Sequence, residues 1–345
     1  MTTSAFLRAC RGRRASVVPV WFMRQAGRSL PEYRALRRSG SILEVIRQPD
    51  LAAEITLQPV RRYGVDAAIL YSDIVVPVSA LGFGVDIVPG IGPVVAEPFA
   101  TEGDLGRLRD LVPEVDLPWV AETIGILIAE LEVPLIGFAG APFTLASYLV
   151  EGGPSRSFAR TKALMYGNPD LWHRLMGRLA AITSTALRAQ VDAGVQAVQL
   201  FDSWVGNLSP EDYRLYVAPA TEQVFAAMAD LGVPRIHFGV GTGEILDQMA
   251  ACDVEVVGVD WRVPLPRART LVRPHQALQG NLDPTALLAP WPVLRTMATS
   301  VLRAGTSTGP GYVFNLGHGV LPESDPAQLE RLVDLVHGWE PDAGR

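Results

Sequence analysis

The sequence predicts a single-domain (β/α)8 TIM barrel over residues 1–345, with its chemistry at the C-terminal ends of the strands. Two observations carry this expectation. Eight short β-branched or apolar runs recur, at 17–23, 65–71, 133–138, 195–201, 233–238, 254–259, 277–282 and 311–316, and helical patterns fill most intervals between them. Such alternation builds parallel sheets. Polar or glycine residues follow most of the runs, and in a parallel barrel those positions share one face. An open, doubly wound sheet would satisfy the same strand count, because counting does not prove closure.

Taken in order, the first run stops at two arginines around a Gln-Ala-Gly turn, Arg24-Gln25-Ala26-Gly27-Arg28, and a helical stretch follows at 50–63. The second run ends at Ser72-Asp73, with extra material between Gly82 and Pro118 and a helix at 117–131. From the third run the chain passes through Ala139-Gly140-Ala141-Pro142 towards Tyr148, and the next helix covers 169–193. The fourth ends at Asp202-Ser203-Trp204 before a helix over 210–231. After the fifth comes Gly239-Val240-Gly241-Thr242-Gly243, whose third glycine falls one residue early for a dinucleotide fingerprint. It reads instead as a strand-to-helix turn, with a helix at 243–251. The sixth run ends at Asp260-Trp261, and the proline-rich link 264–273 carries no firm helix signal. Gly280-Asn281 closes the seventh and Gly317-His318-Gly319 the eighth, with helices at 284–303 and 326–337. Three helix starts, Ser209-Pro210, Asp283-Pro284 and Asp325-Pro326, place a capping side chain before a proline in the first turn.

Composition narrows the function classes. With 48% hydrophobic and 19% charged residues the chain can build a large core. A net charge of −6 disfavours nucleic acid and anionic membranes as partners, so an anionic substrate must be drawn by a local basic pocket. Lys162 is the only lysine, so the abundance of arginine is not by itself a sign of anion binding. Cys10 and Cys252 are too few for a disulfide framework and lie in no metal-ligand spacing, which fits reduced thiols in the cytoplasm. The segment 1–16 has arginines but no apolar core, unlike a secretory signal. Residues 133–150 are uncharged, yet Pro134, Pro142 and two glycines suit a strand, loop and helix start better than a membrane span.

The turn at 24–28 is the most specific feature. Arginine is permanently charged and its planar fork grips a carboxylate at two points. Two forks at the end of a buried strand suit a substrate with more than one carboxylate, and Gly27 lets the backbone approach a ligand. Five separated segments then resemble one family in its own order. They are Pro19-Val20-Trp21-Phe22-Met23-Arg24-Gln25-Ala26-Gly27-Arg28, Tyr71-Ser72-Asp73-Ile74, the stretch 134–152 around Tyr148, Gln199-Leu200-Phe201-Asp202-Ser203-Trp204-Val205-Gly206, and Asn315-Leu316-Gly317-His318-Gly319. The family is uroporphyrinogen decarboxylase, whose members remove four acetate carboxyls from a tetrapyrrole. One departure is Ser29, where the family more commonly has an aromatic residue.

The resemblance implies a homodimeric barrel that acts on uroporphyrinogen III without cofactor or metal. It implies Asp73 and Arg24 as catalytic residues and Arg24, Gln25, Ala26, Gly27, Arg28, Asp73, Tyr148, Ser203 and His318 as substrate contacts. Asp73 would accept pyrrole N–H bonds and offset a protonated ring, although an aspartate after a strand also suits a cap for the following segment. Tyr148 and Ser203 would donate to carboxylates, although each hydroxyl could equally be satisfied by backbone. His318, between two glycines, would meet a substrate carboxylate, its charge state tuning affinity near neutral pH. Phe138, Phe143 and Trp204 could face a macrocycle or simply pack, and Arg37 could add positive potential or lie on a solvated helix face. Two alternatives stand beside this reading. A corrinoid-linked methyltransferase of the same superfamily would bind zinc through a His-x-Cys pattern, but His237-Phe238-Gly239 has glycine in place of the thiolate. A non-catalytic tetrapyrrole-binding protein would need the arginine forks but not Asp73.

Overall fold

Each of the eight runs becomes part of one parallel sheet. The computed structural model describes residues 4–27, 29–36, 41–88, 90–309 and 311–340. Strands β1 (Ala68–Ile69), β4 (Leu135–Gly140), β5 (Ala197–Asp202), β6 (Arg235–Gly239), β7 (Val256–Gly258), β8 (Ala277–Gln279) and β9 (Tyr312–Val313) pair in that order, each parallel to the next. Helices cover the outside. The strands are therefore buried on both faces, as their unbroken apolar runs require.

The first run closes the barrel. Phe314 N–H donates to the Pro19 carbonyl at 2.8 Å and Trp21 N–H to the Phe314 carbonyl at 3.4 Å, giving a parallel bridge at Val20. On its other side Val20 carbonyl accepts the Asp66 N–H at 2.8 Å, and the Val20 N–H donates to the Asp66 carboxylate at 2.8 Å. A side chain thus replaces a backbone acceptor on the β1 side, while on the β9 side the segment pairs through the bridge at Val20. Closure excludes the open doubly wound sheet. Inside, Trp21 Nε1 donates to Gln279 Oε1 at 3.0 Å and Gln279 Nε2 to Gln199 Oε1 at 2.9 Å, a polar chain through the barrel interior between non-adjacent strands.

Helix boundaries follow proline placement. The predicted helices at 169–193 and 326–337 form as Pro169–Ala193 and Pro326–His337. The 210–231 stretch breaks into Pro210–Tyr216 and Ala218–Ala226, because Pro219 supplies no N–H and its ring crowds the preceding turn. The 284–303 stretch likewise divides into a 3-10 turn, Pro284–Leu288, and a helix Trp291–Ser307, separated at Pro290. The helix at 243–251 starts later, at Leu246, after the glycine-rich turn. Against expectation the link 264–273 forms a helix, Leu265–Leu271; its prolines fall at the cap and first turn, where a missing N–H costs nothing. Ser209, Asp283 and Asp325 all cap as their sequence context requires, accepting from the N–H of Asp212, Thr285 and Ala327.

Residues 133–150 form β4 and the helix Pro142–Glu151. Among the described residues no helix is long and apolar enough to cross a membrane. The extra material between Gly82 and Pro118 contains an antiparallel hairpin, β2 (Val85–Val88) and β3 (Gly92–Val95), which packs on that helix through Val95 N–H to Gly152 carbonyl at 2.9 Å. Pro93 on β3 thereby reaches the barrel mouth.

Candidate active site

A cavity of about 890 Å³, including its open mouth, lies at the C-terminal ends of the strands. Arg24, Ala26, Asp73, Tyr148, Ser203 and His318 all line it. They come from five chain segments separated by up to almost the whole sequence, and the barrel alone brings them together.

Arg24 terminates the first segment with φ 59°, a left-handed conformation uncommon for a side-chain-bearing residue. Such strain is characteristic of sites where geometry is dictated by function. The turn is held from beneath. Gln25 is fully buried, its Oε1 accepting the Phe22 N–H at 3.0 Å and its Nε2 donating to the Ala67 carbonyl at 3.1 Å. The Gln25 side chain therefore braces the arginine turn rather than facing the cavity, and neither Gln25 nor Gly27 belongs to the cavity lining. Arg24 is exposed and has no carboxylate within salt-bridge distance among the described residues. Its aliphatic stem packs on Gly319, where an added Cβ would sit 2.5 Å from Arg24 Cδ. Arg28 and Arg37 lie outside the described residues. Ser29 is buried and is not a lining residue.

Asp73 follows β1 and borders the cavity. Its Oδ1 accepts the Val75 N–H at 3.0 Å, a local turn that leads into the short helix Val76–Ser79 without capping it, and the residue still lines the cavity. Burial pushes its carboxyl above the usual carboxylate range, against the opposing pull of the Val75 N–H bond and the Arg24 charge. The segment is tied to the next strand end by Gly140 N–H donating to the Ile74 carbonyl at 3.1 Å.

Tyr148 lies on Pro142–Glu151, one turn beyond Thr144, and its ring meets Trp204 edge-on at 5.8 Å. Burial and the neighbouring Asp73 charge push its hydroxyl up to about 12, so it remains a donor. His318 is set by its glycines. Gly319 N–H donates to His318 Nδ1 at 2.6 Å, which leaves Nε2 to carry the proton. An added Cβ at Gly317 would lie 2.2 Å from the Trp261 backbone nitrogen, so only glycine allows this approach. Burial, reinforced by the Arg24 charge, pushes His318 down to about 4. Its charge change is thus displaced from neutral pH, and it presents a neutral N–H.

The apolar wall divides the three aromatic candidates. Phe138 lines the cavity, whereas Phe143 packs against Trp172 and Trp204 packs between Tyr148 and Phe158. The lining also holds apolar residues not expected there from the sequence, among them Phe201 and Phe238, which continue from Phe138 in an edge-to-face row with centroids 5.4 and 6.0 Å apart. Their signal was present, since each directly precedes the polar or glycine end of its run. Other strand-end polar groups brace loops. Asp260 accepts from the Gly241 N–H and from Arg262, and Asn281 donates to the Asp260 and Val263 carbonyls at 2.8 and 2.6 Å.

Among the described residues the lining combines one carboxylate, one arginine, neutral N–H and O–H donors and an aromatic wall, a set suited to an anionic molecule that also presents N–H donors and apolar surface. The sequence profile of the family described as uroporphyrinogen decarboxylase (URO-D) matches residues 1–339. The chain belongs to the uroporphyrinogen decarboxylase family. A uroporphyrinogen decarboxylase of Salinispora tropica is 61% identical over 335 residues, covering 97% of this chain and 90% of its own length. One from Mycolicibacterium paratuberculosis is 57% identical over 343 residues, covering 97% and 96%. Among solved structures a methyltransferase from Methanosarcina mazei aligns with a TM-score of 0.78 at 20% identity, over 96% of this chain and 97% of that one. At that identity the likeness shows the barrel fold alone. His237, where the methyltransferase alternative would place a ligand, is fully buried against Phe225 and Met249 and does not line the cavity.

Proposed function

We propose that this chain, working as one domain, decarboxylates uroporphyrinogen III, converting its four acetate side chains to methyl groups and giving coproporphyrinogen III in haem biosynthesis. The observation that carries the reading is Asp73, which lines the same cavity as Arg24 and Ala26 of the family's arginine turn, in a chain about three-fifths identical to named decarboxylases over nearly its full length. In this reading Asp73 accepts the central pyrrole N–H groups. Protonation of the ring carbon beside an acetate makes a cationic, imine-like ring, and the C–CO2 bond breaks with its electron pair flowing into that ring. A second proton on the resulting methylene gives the methyl group, and loss of the ring-carbon proton restores the pyrrole. Asp73 stabilises the cation by preorganised opposite charge.

Arg24 and Arg28 hold substrate carboxylates. Guanidinium keeps its proton, with a pKa above about 12, so a water oriented by Arg24 is the better proton source. Ala26 gives the substrate close access to backbone, Gln25 keeps the turn in place, and Tyr148, Ser203 and His318 donate to carboxylates. The same reading makes the protein a cytoplasmic homodimer that needs no metal or organic cofactor and binds neither nucleic acid nor membrane. The test is incubation of the purified protein with uroporphyrinogen III under reducing conditions, with carboxyl number followed by chromatography. Stepwise conversion from eight carboxyls to four, unaffected by chelators, is expected. Tight binding without release of carbon dioxide would identify a carrier instead, and zinc-dependent activity would favour a methyltransferase.

A further inference from the structure

Behind the cavity wall, between the strands and the outer helices, lies a buried polar cluster that the proposed chemistry does not touch. Asp202 and His237 are both fully buried. Asp202 Oδ1 accepts from Thr144 Oγ1 at 3.1 Å. Its Oδ2 faces His237 Nε2 at 3.7 Å, too long for a hydrogen bond, and neither atom has a hydrogen-bond partner among the described residues. On its other side His237 Nδ1 lies 3.3 Å from the Met249 carbonyl, to which it donates. Burial pulls His237 down, but Asp202 and Cys252 beside it push the ring up to about 9, which favours a charge-balanced pair. That charge balance matters, because an unpaired buried carboxylate is strongly destabilising.

The position of this pair is unusual. Asp202 directly precedes Ser203, and Thr144 lies one helical turn before Tyr148, on the same face of Pro142–Glu151. A backbone bond, Ala141 N–H to Phe201 carbonyl at 2.9 Å, joins the same two elements at the helix start. Farther along the helix the side-chain bond from Thr144 is their described polar tie.

We infer that Asp202 is a positioning residue: its carboxylate, buried beside His237 and bonded to Thr144, pins Pro142–Glu151 to the end of β5 and so fixes the Tyr148 and Ser203 hydroxyls relative to each other. This deepens the decarboxylase reading and rests on it. A misplacement of about 1 Å at a reacting geometry can cost on the order of 10²-fold in rate. Thr144→Val removes the donor at nearly constant shape and is expected to lower kcat/KM by about 10- to 100-fold. Thr144→Ser, which keeps the hydroxyl, should recover most of that loss. Tyr148→Phe should then cost much less in the Thr144→Val background than in wild type, because the phenol is already out of place. An equal cost in both backgrounds would overturn the inference and leave the cluster with a purely structural role. Thr144→Ala carries the same cycle if valine is not accommodated. If the wild type releases no carbon dioxide from uroporphyrinogen III, the decarboxylase reading fails and a crystal structure of the Thr144 variant decides the inference alone. Displacement of the Tyr148 ring relative to Ser203 supports it; superposition with wild type refutes it.

Discussion

Replacing Asp73 with asparagine separates the charge of this side chain from its shape. The Val75 N–H bond to Oδ1 can pass to the asparagine carbonyl, so the turn into Val76–Ser79 survives. Burial raises the Asp73 pKa in the folded protein. For a group whose folded value is raised, the associated stability is complete below the unfolded value and lost as pH rises through the folded one. Ionised Asp73 therefore costs stability at pH 7, and neutral asparagine escapes that cost. The thermal midpoint of Asp73→Asn is expected to equal or exceed that of wild type at pH 7, with the gap closing on acidification below the usual carboxylate range. Turnover moves the opposite way. A unit charge about 4 Å from a developing pyrrole cation is worth roughly 4 kcal/mol at an effective dielectric of 20. At about 1.4 kcal/mol per factor of ten, the ceiling is near 10³, and removal of comparable preorganised groups costs about 10²–10³. The asparagine amide N–H2 would also oppose the pyrrole N–H donors. Single-turnover decarboxylation at saturating substrate, beside circular dichroism and a melting curve, measures this. A folded variant with a near wild-type single-turnover rate would reduce Asp73 to a turn residue and refute the reasoning.

Gly319→Ala would drive a methyl group into the Arg24 stem, 2.5 Å from Cδ and 2.8 Å from Cγ. Because Arg24 is exposed it can swing aside at little cost in melting temperature, so KM for uroporphyrinogen III should rise by about 10-fold or more while the fold persists, and an unchanged KM would detach Arg24 from binding. His337 Nε2 meets Asp66 Oδ2 at 2.8 Å, and the same oxygen accepts the Val20 N–H at the barrel closure. The bond to Asp66 raises the His337 pKa against partial burial, so its stabilisation is complete below 6.5 and is lost as pH rises through the raised value. His337→Ala should therefore lower the melting temperature more at pH 6 than at pH 9, by an amount reflecting roughly 1 kcal/mol or less for a half-exposed pair, and a pH-independent difference would contradict this.

The sequence by itself determined the eight strand segments, the capped helix starts and part of the cavity lining, namely Arg24, Ala26, Asp73, Tyr148, Ser203 and His318. Those features are written in local chemistry: apolar runs that must be buried, prolines after capping side chains, and polar groups at strand ends. Tertiary structure decided what such signals share. Gln25, Asp260 and Asn281 carry the same strand-end signature as Arg24, Asp73 and His318, yet their side chains tie backbone together. Which way a polar side chain turns depends on the partners that neighbouring strands bring within about 3 Å, and those partners are distant in sequence. Closure was hidden for the same reason: the bridge of Val20 to Phe314 joins segments near the two ends of the chain, and the Asp66 carboxylate holds the same residue from the other side. The His318 shift also needed the fold, since only assembly sets the imidazole in a buried pocket beside the positive charge of Arg24. Sequence thus specified the groups available, and the packing of remote segments assigned each of them to the cavity or to the frame that holds it.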